Sequence, residues 1–237
     1  MNAPATTALD EPVRAALDGP HAHLAVRHGA AVRYHPDVAP FLAPPGDAAE
    51  WDDAVTLAGP GGVLVVRTMT PLDPPPGWEV VRHLPGVQMV LDDAAPAAPD
   101  AGLETLGDDD VDAMLALVGR TEPGPFARRT HELGTYLGVH DDLLGLVAMA
   151  GERLRVPGAT EISAVCTDPA ARGRGLATRL VLALAAGIRA RDELPILHAA
   201  ADNTTAIRLY SQLGFTVRSE PSFVAVRALH LPEEARS

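Results

Sequence analysis

The chain has 237 residues, which is enough for one large domain or two small ones. Its formal net charge of -12 argues against a nucleic-acid partner, because phosphate binding needs clustered positive charge. The single cysteine, Cys166, excludes an intrachain disulfide bond and a zinc site. No apolar run reaches membrane-spanning length and no signal peptide is recognisable, so we expect a cytoplasmic protein with no membrane partner.

The first hundred residues carry short apolar segments separated by turn residues. We predict helices over 13–17 and 51–57, a hairpin from 23–27 and 31–34, and strands over 62–67, 78–83 and 87–91. The stretch Asp92–Asp100 is rich in proline and polar residues, which is typical of a linker. The sequence therefore predicts an N-terminal α+β domain over residues 1–93 and a linker over 94–100. The spacings of His21, His23, His28 and His35 match no metal-binding pattern.

The remaining residues, 101–232, predict a second domain in which strands and helices alternate. Three consecutive acids, Asp108–Asp110, are suited to cap a helix. We predict strands over 103–106, 136–139, 143–150, 161–167, 195–201 and 215–217, and helices over 111–118, 176–188 and 206–213.

A glycine-bearing turn, Arg172-Gly173-Arg174-Gly175-Leu176-Ala177, joins a predicted strand to a predicted helix. The first N–H groups of a helix lack internal partners and favour negative charge, and glycines let oxygen atoms approach the backbone. The turn therefore predicts a pyrophosphate site. The lysine of a nucleotidase phosphate loop is missing, and so is the third glycine of a dinucleotide fingerprint.

A second motif follows one helix and one strand later, as Asn203, Ala206, Tyr210 and Gly214-Phe215. Together with the Arg-x-x-Gly-x-Gly/Ala type of turn, it resembles the GNAT superfamily of N-acetyltransferases, and most closely its FR47-like group. The resemblance covers residues 100–230. It implies an α/β (α+β) fold with a mixed central sheet flanked by helices. The order of elements in the N-terminal part resembles a degenerate copy of the same domain.

The resemblance implies that acetyl-CoA is the acyl donor and that no metal takes part. Its pyrophosphate would lie on the turn, and the backbone of the preceding strand would pair with pantetheine. The CoA-binding residues implied in this way are Val165, Cys166, Thr167, Arg172, Gly173, Arg174, Gly175, Leu176, Ala177, Thr178, Asn203 and Ala206.

Two residues are candidate catalytic groups. The resemblance implies that the Tyr210 phenol protonates the CoA sulfur; the alternative is a ring packed in the core. Glu161 lies eleven residues before Arg172, where the histone-acetylating branch of the family has its general base. In a partly apolar cleft we expect a raised pKa for Glu161, suited to that role. The alternatives are a solvated glutamate, or one that binds a cationic substrate.

The acceptor is less well defined by the sequence. Glu122, Phe126 and Arg128 lie where the family has a variable substrate loop, although a plain surface loop is an equal alternative. We expect direct attack of a small-molecule or peptide amine on the thioester, in a monomer or homodimer. The alternative function is a non-catalytic acyl-CoA-binding or sensor protein that has kept the CoA site.

Overall fold

The computed structural model describes residues 6–229, so residues 1–5 and 230–232 of the two predicted domains lie outside the described part. The elements of the N-terminal half are α1 (Thr6–Asp10), α2 (Pro12–Leu17), β1 (Ala25–His28), β2 (Ala31–Tyr34), β3 (Phe41–Leu42), α3 (Ala48–Ala58), β4 (Val63–Thr68) and β5 (Trp78–Leu91). They include the two predicted helices and the predicted hairpin, together with a helix and a short strand that were not predicted, α1 and β3.

The elements of the C-terminal half are β6 (Glu104–Leu106), α4 (Val111–Thr121), β7 (Tyr136–Asp141), β8 (Gly145–Val156), β9 (Ala159–Thr167), α5 (Leu176–Arg189), β10 (Leu194–Ala200), α6 (Thr204–Gln212), β11 (Phe215–Ser219) and β12 (Ser222–Ala228). They follow the predicted order of strands and helices as far as β11, after which comes one further strand, β12, which was not predicted. Asp108–Asp110 form a turn of 3-10 helix directly before α4.

One mixed sheet runs through both halves of the described chain. The strand order is β1-β2-β3-β4-β12-β5-β10-β9-β8-β7-β6, and β11 pairs with β5. The pairs β3–β4 and β9–β10 are parallel and the other neighbours are antiparallel. The predicted α/β fold with a mixed central sheet flanked by helices is confirmed.

The prediction of two strands over 78–83 and 87–91 is wrong, because β5 is one strand of 14 residues. It changes partner at its centre: it pairs with β12 up to Pro85, and with β10 from Gly86 onward. A proline, which lacks an N–H, is tolerated where one ladder ends and another begins. A side chain at Gly86 would meet the ring of Phe223 at 3.0 Å.

The two halves therefore exchange strands. The last described strand, β12, lies between β4 and β5 of the N-terminal half, while the end of β5 lies between β10 and β11 of the C-terminal half. The predicted linker leaves the sheet at the end of β5. The domain boundaries stay a prediction, and the hydrogen-bonded sheet crosses them.

Two different layers cover the two faces of the C-terminal sheet. Helix α5 buries its apolar stripe, including Leu180, Val181 and Leu184, against Ile162 and Leu197. On the other face, the N-terminal half packs against the ends of β8 and β9 in a separate apolar cluster. Side chains alternate along a strand, so Glu161, next to Ile162, points to this second face. Within residues 6–229 no helix is both long and apolar enough to cross a bilayer.

Candidate active site

The turn before α5 has the geometry of an anion site. Gly173 and Gly175 have φ angles of 78° and 72°, in the left-handed region that favours glycine. Within the described part of the chain, no atom outside the neighbouring residues lies within 4 Å of the position of a Cβ at either glycine. Gly175 is the N-cap of α5 and offers no side-chain cap, so the first N–H groups of the helix remain available. Residues 172–175 are all exposed.

The rest of the predicted phosphate-binding segment anchors this turn. Leu176, the first residue of α5, is buried, and Ala177 and Thr178 are half-buried in the same helical turn. The Arg172 Nε atom donates to the Thr167 carbonyl oxygen at 3.3 Å. The Arg174 Nη1 atom lies 3.4 Å from an oxygen of Asp141 in the β7–β8 hairpin. Both arginines are thus held at the mouth of the turn, where their charge favours an anion.

Strands β9 and β10 separate beside this turn. Their parallel pairing ends at Ile162 and Leu197, although β9 continues to Thr167 and β10 to Ala200. A β-bulge in β9 accompanies the separation, and Ala164 there has a φ of 52°. The backbone of Val165 and Thr167 is therefore not paired with β10, as expected for a strand edge that binds pantetheine. Burial raises the pKa of the Cys166 thiol between them, which makes it a poor nucleophile.

Helix α6 begins next to the separated strands. The side chain of Asn203 caps the helix, since its Oδ1 atom accepts from the Ala206 N–H at 3.1 Å. Tyr210 is buried, with its ring 6.1 Å from that of Phe215. Burial, and secondarily the Cys166 thiol, raise the pKa of Tyr210 to about 12. The phenol therefore carries its proton at neutral pH, as a proton donor must.

Glu161 does not have the environment that the sequence predicts. Its carboxylate is fully buried and accepts two hydrogen bonds from Arg153, from Nε at 3.0 Å and from Nη2 at 2.5 Å. Burial alone raises the pKa of Glu161, but the charge of Arg153 and then the interaction with His198, which includes a hydrogen bond, outweigh it, so the pKa lies well below its usual range. The expected raised pKa is wrong, and a carboxylate held in this way is a weak base.

His198 continues this buried polar cluster. Its Nδ1 atom lies 2.9 Å from Glu161, and its Nε2 atom lies 3.1 Å from Nε2 of Gln88. Burial lowers the pKa of His198, so the neutral ring donates to Glu161 and accepts from Gln88. The cluster of Arg153, Glu161, His198 and Gln88 links β8, β9, β10 and β5 on the face opposite α5.

The predicted acceptor loop is only partly brought to the site. The Phe126 ring packs edge-on against Tyr136, 5.7 Å away, beside α4. Glu122 ends α4 in a left-handed conformation and is exposed. Arg128 forms an exposed ion pair with Asp112 at 3.0 Å. Of these three residues, Phe126 is the one that packs against the face to which Glu161 points.

The sequence analysis missed the buried partners of Glu161. Arg153 precedes Glu161 by eight residues across the β8–β9 turn, so opposite charges on facing strands were a detectable signal. Gln88 had no local signal, because it is 110 residues from His198 in the chain. Among the described residues no group of three metal-ligating side chains occurs. The catalytic and CoA-binding roles assigned above stay predictions.

Several known proteins are similar to this chain in sequence or in fold. The family model described as FR47-like protein matches residues 136–224. A mycothiol acetyltransferase from Mycolicibacterium paratuberculosis is 32% identical over 167 residues, which cover 57% of this chain and 52% of that protein. A second one, from Mycobacterium avium, is 40% identical over 78 residues, 30% of this chain and 25% of that protein. The chain thus spans about half the length, or less, of these curated relatives.

Solved structures extend the likeness to nearly the whole chain. A putative GNAT-family acetyltransferase from Novosphingobium aromaticivorans has a TM-score of 0.85 and 42% identity, over 92% of this chain and 97% of that one. A GCN5-related N-acetyltransferase from Kribbella flavida has the same fold, with a TM-score of 0.55 and 18% identity over 94% and 93% of the two chains. The extent and identity of the first match show that this chain belongs to the GNAT family.

Proposed function

We propose that this protein transfers an acetyl group from acetyl-CoA to an amine. The observation that carries the proposal is the exposed turn at residues 172–175, which opens at the uncapped start of α5 beside the separated strands β9 and β10. A pyrophosphate fits the backbone donors of the turn, and a pantetheine chain fits the unpaired edge of β9. The similarity to GNAT and mycothiol acetyltransferases supports the same reaction.

In the proposed reaction acetyl-CoA supplies the activated acyl group, and the chain binds, orients and protonates. The backbone of Val165 and Thr167 positions the thioester. The Tyr210 phenol, neutral because burial raises its pKa to about 12, donates a proton to the departing sulfur. The amine attacks the thioester directly, since burial leaves the Cys166 thiol protonated and inert.

A non-catalytic acyl-CoA-binding protein is the second candidate. The ion-paired state of Glu161 favours it, because the residue that the sequence offers as a general base is already engaged by Arg153 and His198. The two candidates share the CoA site and differ in turnover. Because Glu161 is engaged in this way, an acetyltransferase with this site needs an amine that arrives deprotonated or that loses its proton to water.

The CoA site is tested by Gly175→Asp, measured by titration calorimetry with acetyl-CoA. A Cβ and a negative charge at the start of α5 should abolish binding. The matched control is Gly61→Asp, because Gly61 is also exposed, has a φ of 69° and has open space at its Cβ, but lies in the N-terminal half. Retained binding by Gly175→Asp would reject the site. Release of CoA with a panel of amines then separates the enzyme from the sensor.

A further inference from the structure

Arg67 is a buried cation for which residues 6–229 provide no carboxylate in salt-bridge contact. It lies on β4 and only 1% of its surface is exposed. Its Nη1 atom donates to the backbone carbonyl oxygen of Asp10, at the end of α1. Among the described residues, its Nε and Nη2 atoms have no hydrogen-bond partner. Burying a charge is costly unless it is paired, so these two donors need an explanation.

The two unpartnered atoms form one edge of the guanidinium group. Nε and Nη2 are the pair of donors that Arg153 offers to the two oxygens of Glu161. Arg129 and Arg179 use the same edge to bind Glu132 and Asp100. Two parallel N–H groups on this edge match the spacing of a carboxylate. Arg67 thus presents the fork that this protein elsewhere uses for carboxylates.

No carboxylate of the described chain serves this fork. The Asp10 carboxylate, whose charge acts on Arg67, is bound by Arg218 at 2.8 Å. Arg33 is a useful contrast, because it is nearly as buried but its Nε and Nη1 atoms donate to the carbonyl oxygens of Tyr34 and Leu57. Burial lowers the pKa of Arg67 to about 10, so the group is still a cation at neutral pH.

Arg67 is coupled to the buried polar cluster of Glu161 and His198, which lies where the pairing of β9 with β10 ends. Its strand partner is Phe223, whose ring packs edge-on against His198 at 5.5 Å. The charge of Arg67 influences both His198 and Glu161. His198 directly follows Leu197, where β9 and β10 separate. The fork therefore belongs to the same buried polar region that borders the proposed reaction site.

We propose that Arg67 binds a carboxylate of the acceptor, and that the substrate is an amine that also carries a carboxylate, such as an amino acid. This inference rests on the proposed acetyltransferase function and narrows its substrate class. The carboxylate would satisfy the Nε and Nη2 donors and neutralise the buried charge. Its amine would then be directed toward the end of the β9–β10 separation.

The test compares amines that differ only in the carboxylate. Alanine, phenylalanine and histidine are assayed with acetyl-CoA beside ethylamine, phenethylamine and histamine. A bidentate, charge-assisted contact predicts a kcat/KM about 10- to 100-fold higher for the carboxylate-bearing member of each reactive pair. In Arg67→Met this advantage should disappear. In Arg33→Met, which removes another buried arginine whose Nε and Nη1 atoms are already bonded to carbonyl oxygens, it should persist.

A binding experiment tests whether Arg67 binds a carboxylate, independently of turnover. N-acetylalanine and N-ethylacetamide differ by one carboxylate, and each is titrated against the wild-type protein in a thermal-unfolding assay. N-acetylalanine alone should raise the melting temperature, and the shift should be lost in Arg67→Lys, which keeps the charge but not the fork. If a variant does not fold, the comparison of the two compounds on the wild-type protein still tests the carboxylate preference.

Equal effects of the two compounds on the wild type, or an unchanged carboxylate preference in folded Arg67→Met, would overturn the inference. Such a result leaves the acetyltransferase proposal intact if amines are acetylated without regard to a carboxylate. Failure of acetyl-CoA to bind the wild type would instead reject the proposed function. The two failures are therefore distinguishable.

Discussion

The carboxylate of Glu161 and the guanidinium of Arg153 form a two-point ion pair in the interior of the protein, with none of the Glu161 side chain exposed. The Arg153 guanidinium also lies over the ring of Phe41, 5.2 Å from its centre. Strands of the C-terminal half and a residue of β3 thus meet at one buried charge pair. This pair joins the two halves of the chain beside the proposed site.

Removing one partner of this pair should be strongly destabilising. In Glu161→Leu the Arg153 charge stays buried without compensation, and we expect a loss of about 3–5 kcal/mol in the free energy of unfolding. The double variant Arg153→Met/Glu161→Leu should lose less than Glu161→Leu alone. Urea denaturation measures both. Glu132→Gln is the control, because its exposed pair with Arg129 should contribute less than about 1 kcal/mol.

A double variant that is less stable than Glu161→Leu would show that the unpaired Arg153 charge is not the source of the loss. A fully active Glu161→Gln with normal kcat at every pH would exclude Glu161 as the general base. A folded Glu161→Gln variant with a reduced kcat would instead support a role for Glu161 in the reaction. Because Glu161 is ion-paired with Arg153, we expect a normal kcat for Glu161→Gln.

The stability of the protein should fall in mild acid because of His21. Burial, and then the neighbouring charge of His23, lower its pKa from 6.5 to about 4, and its Nδ1 atom lies 2.8 Å from the Tyr34 hydroxyl. A histidine with a depressed folded pKa contributes stability that is complete above its unfolded pKa. That contribution is lost as the pH falls from about 6.5 toward 4, by up to about 3 kcal/mol.

Urea titrations at several pH values check this expectation. His21→Gln should flatten the dependence between pH 6.5 and 4, since the buried ring no longer competes with the unfolded chain for a proton. Replacing the exposed His28 by glutamine serves as the control. An unchanged slope in His21→Gln would assign the acid sensitivity to other groups.

Tyr210→Phe should lower kcat by about 100-fold while acetyl-CoA affinity, measured by calorimetry, stays near the wild-type value. The phenol is protonated throughout the physiological range, because its pKa is raised to about 12. Tyr210 should therefore impose no descending limb on the rate profile between pH 7 and 10. A variant with unchanged kcat would remove Tyr210 from the mechanism.

Two buried tyrosines should respond in opposite ways to loss of the hydroxyl. The Tyr34 hydroxyl is bonded to His21, so Tyr34→Phe should cost about 1–3 kcal/mol of stability. Among the described residues the hydroxyl of Tyr136 has no partner, so Tyr136→Phe should leave stability equal or slightly higher. Thermal unfolding of the two variants, which are each other's controls, gives the comparison. Equal losses would mean that a partner satisfies Tyr136 in solution.

Local features of the site were predictable from the sequence. The turn at residues 172–175 needs only two glycines that accept positive φ and a helix start, and both requirements are written in adjacent residues. The same is true of the cap at Asn203, whose side chain bonds to a backbone three residues away. The apolar stripe of α5 follows from its helical period.

Only the tertiary structure decided what each buried charge faces. Glu161 gains its low pKa from Arg153 and from His198, which is 37 residues away in the chain. The sequence predicted two strands over 78–83 and 87–91, yet β5 is continuous because two different strands pair with its two ends. The unpartnered fork of Arg67 exists only because the fold buries it. A sequence fixes local backbone preferences, whereas burial and charge pairing arise from distant residues brought together by the fold.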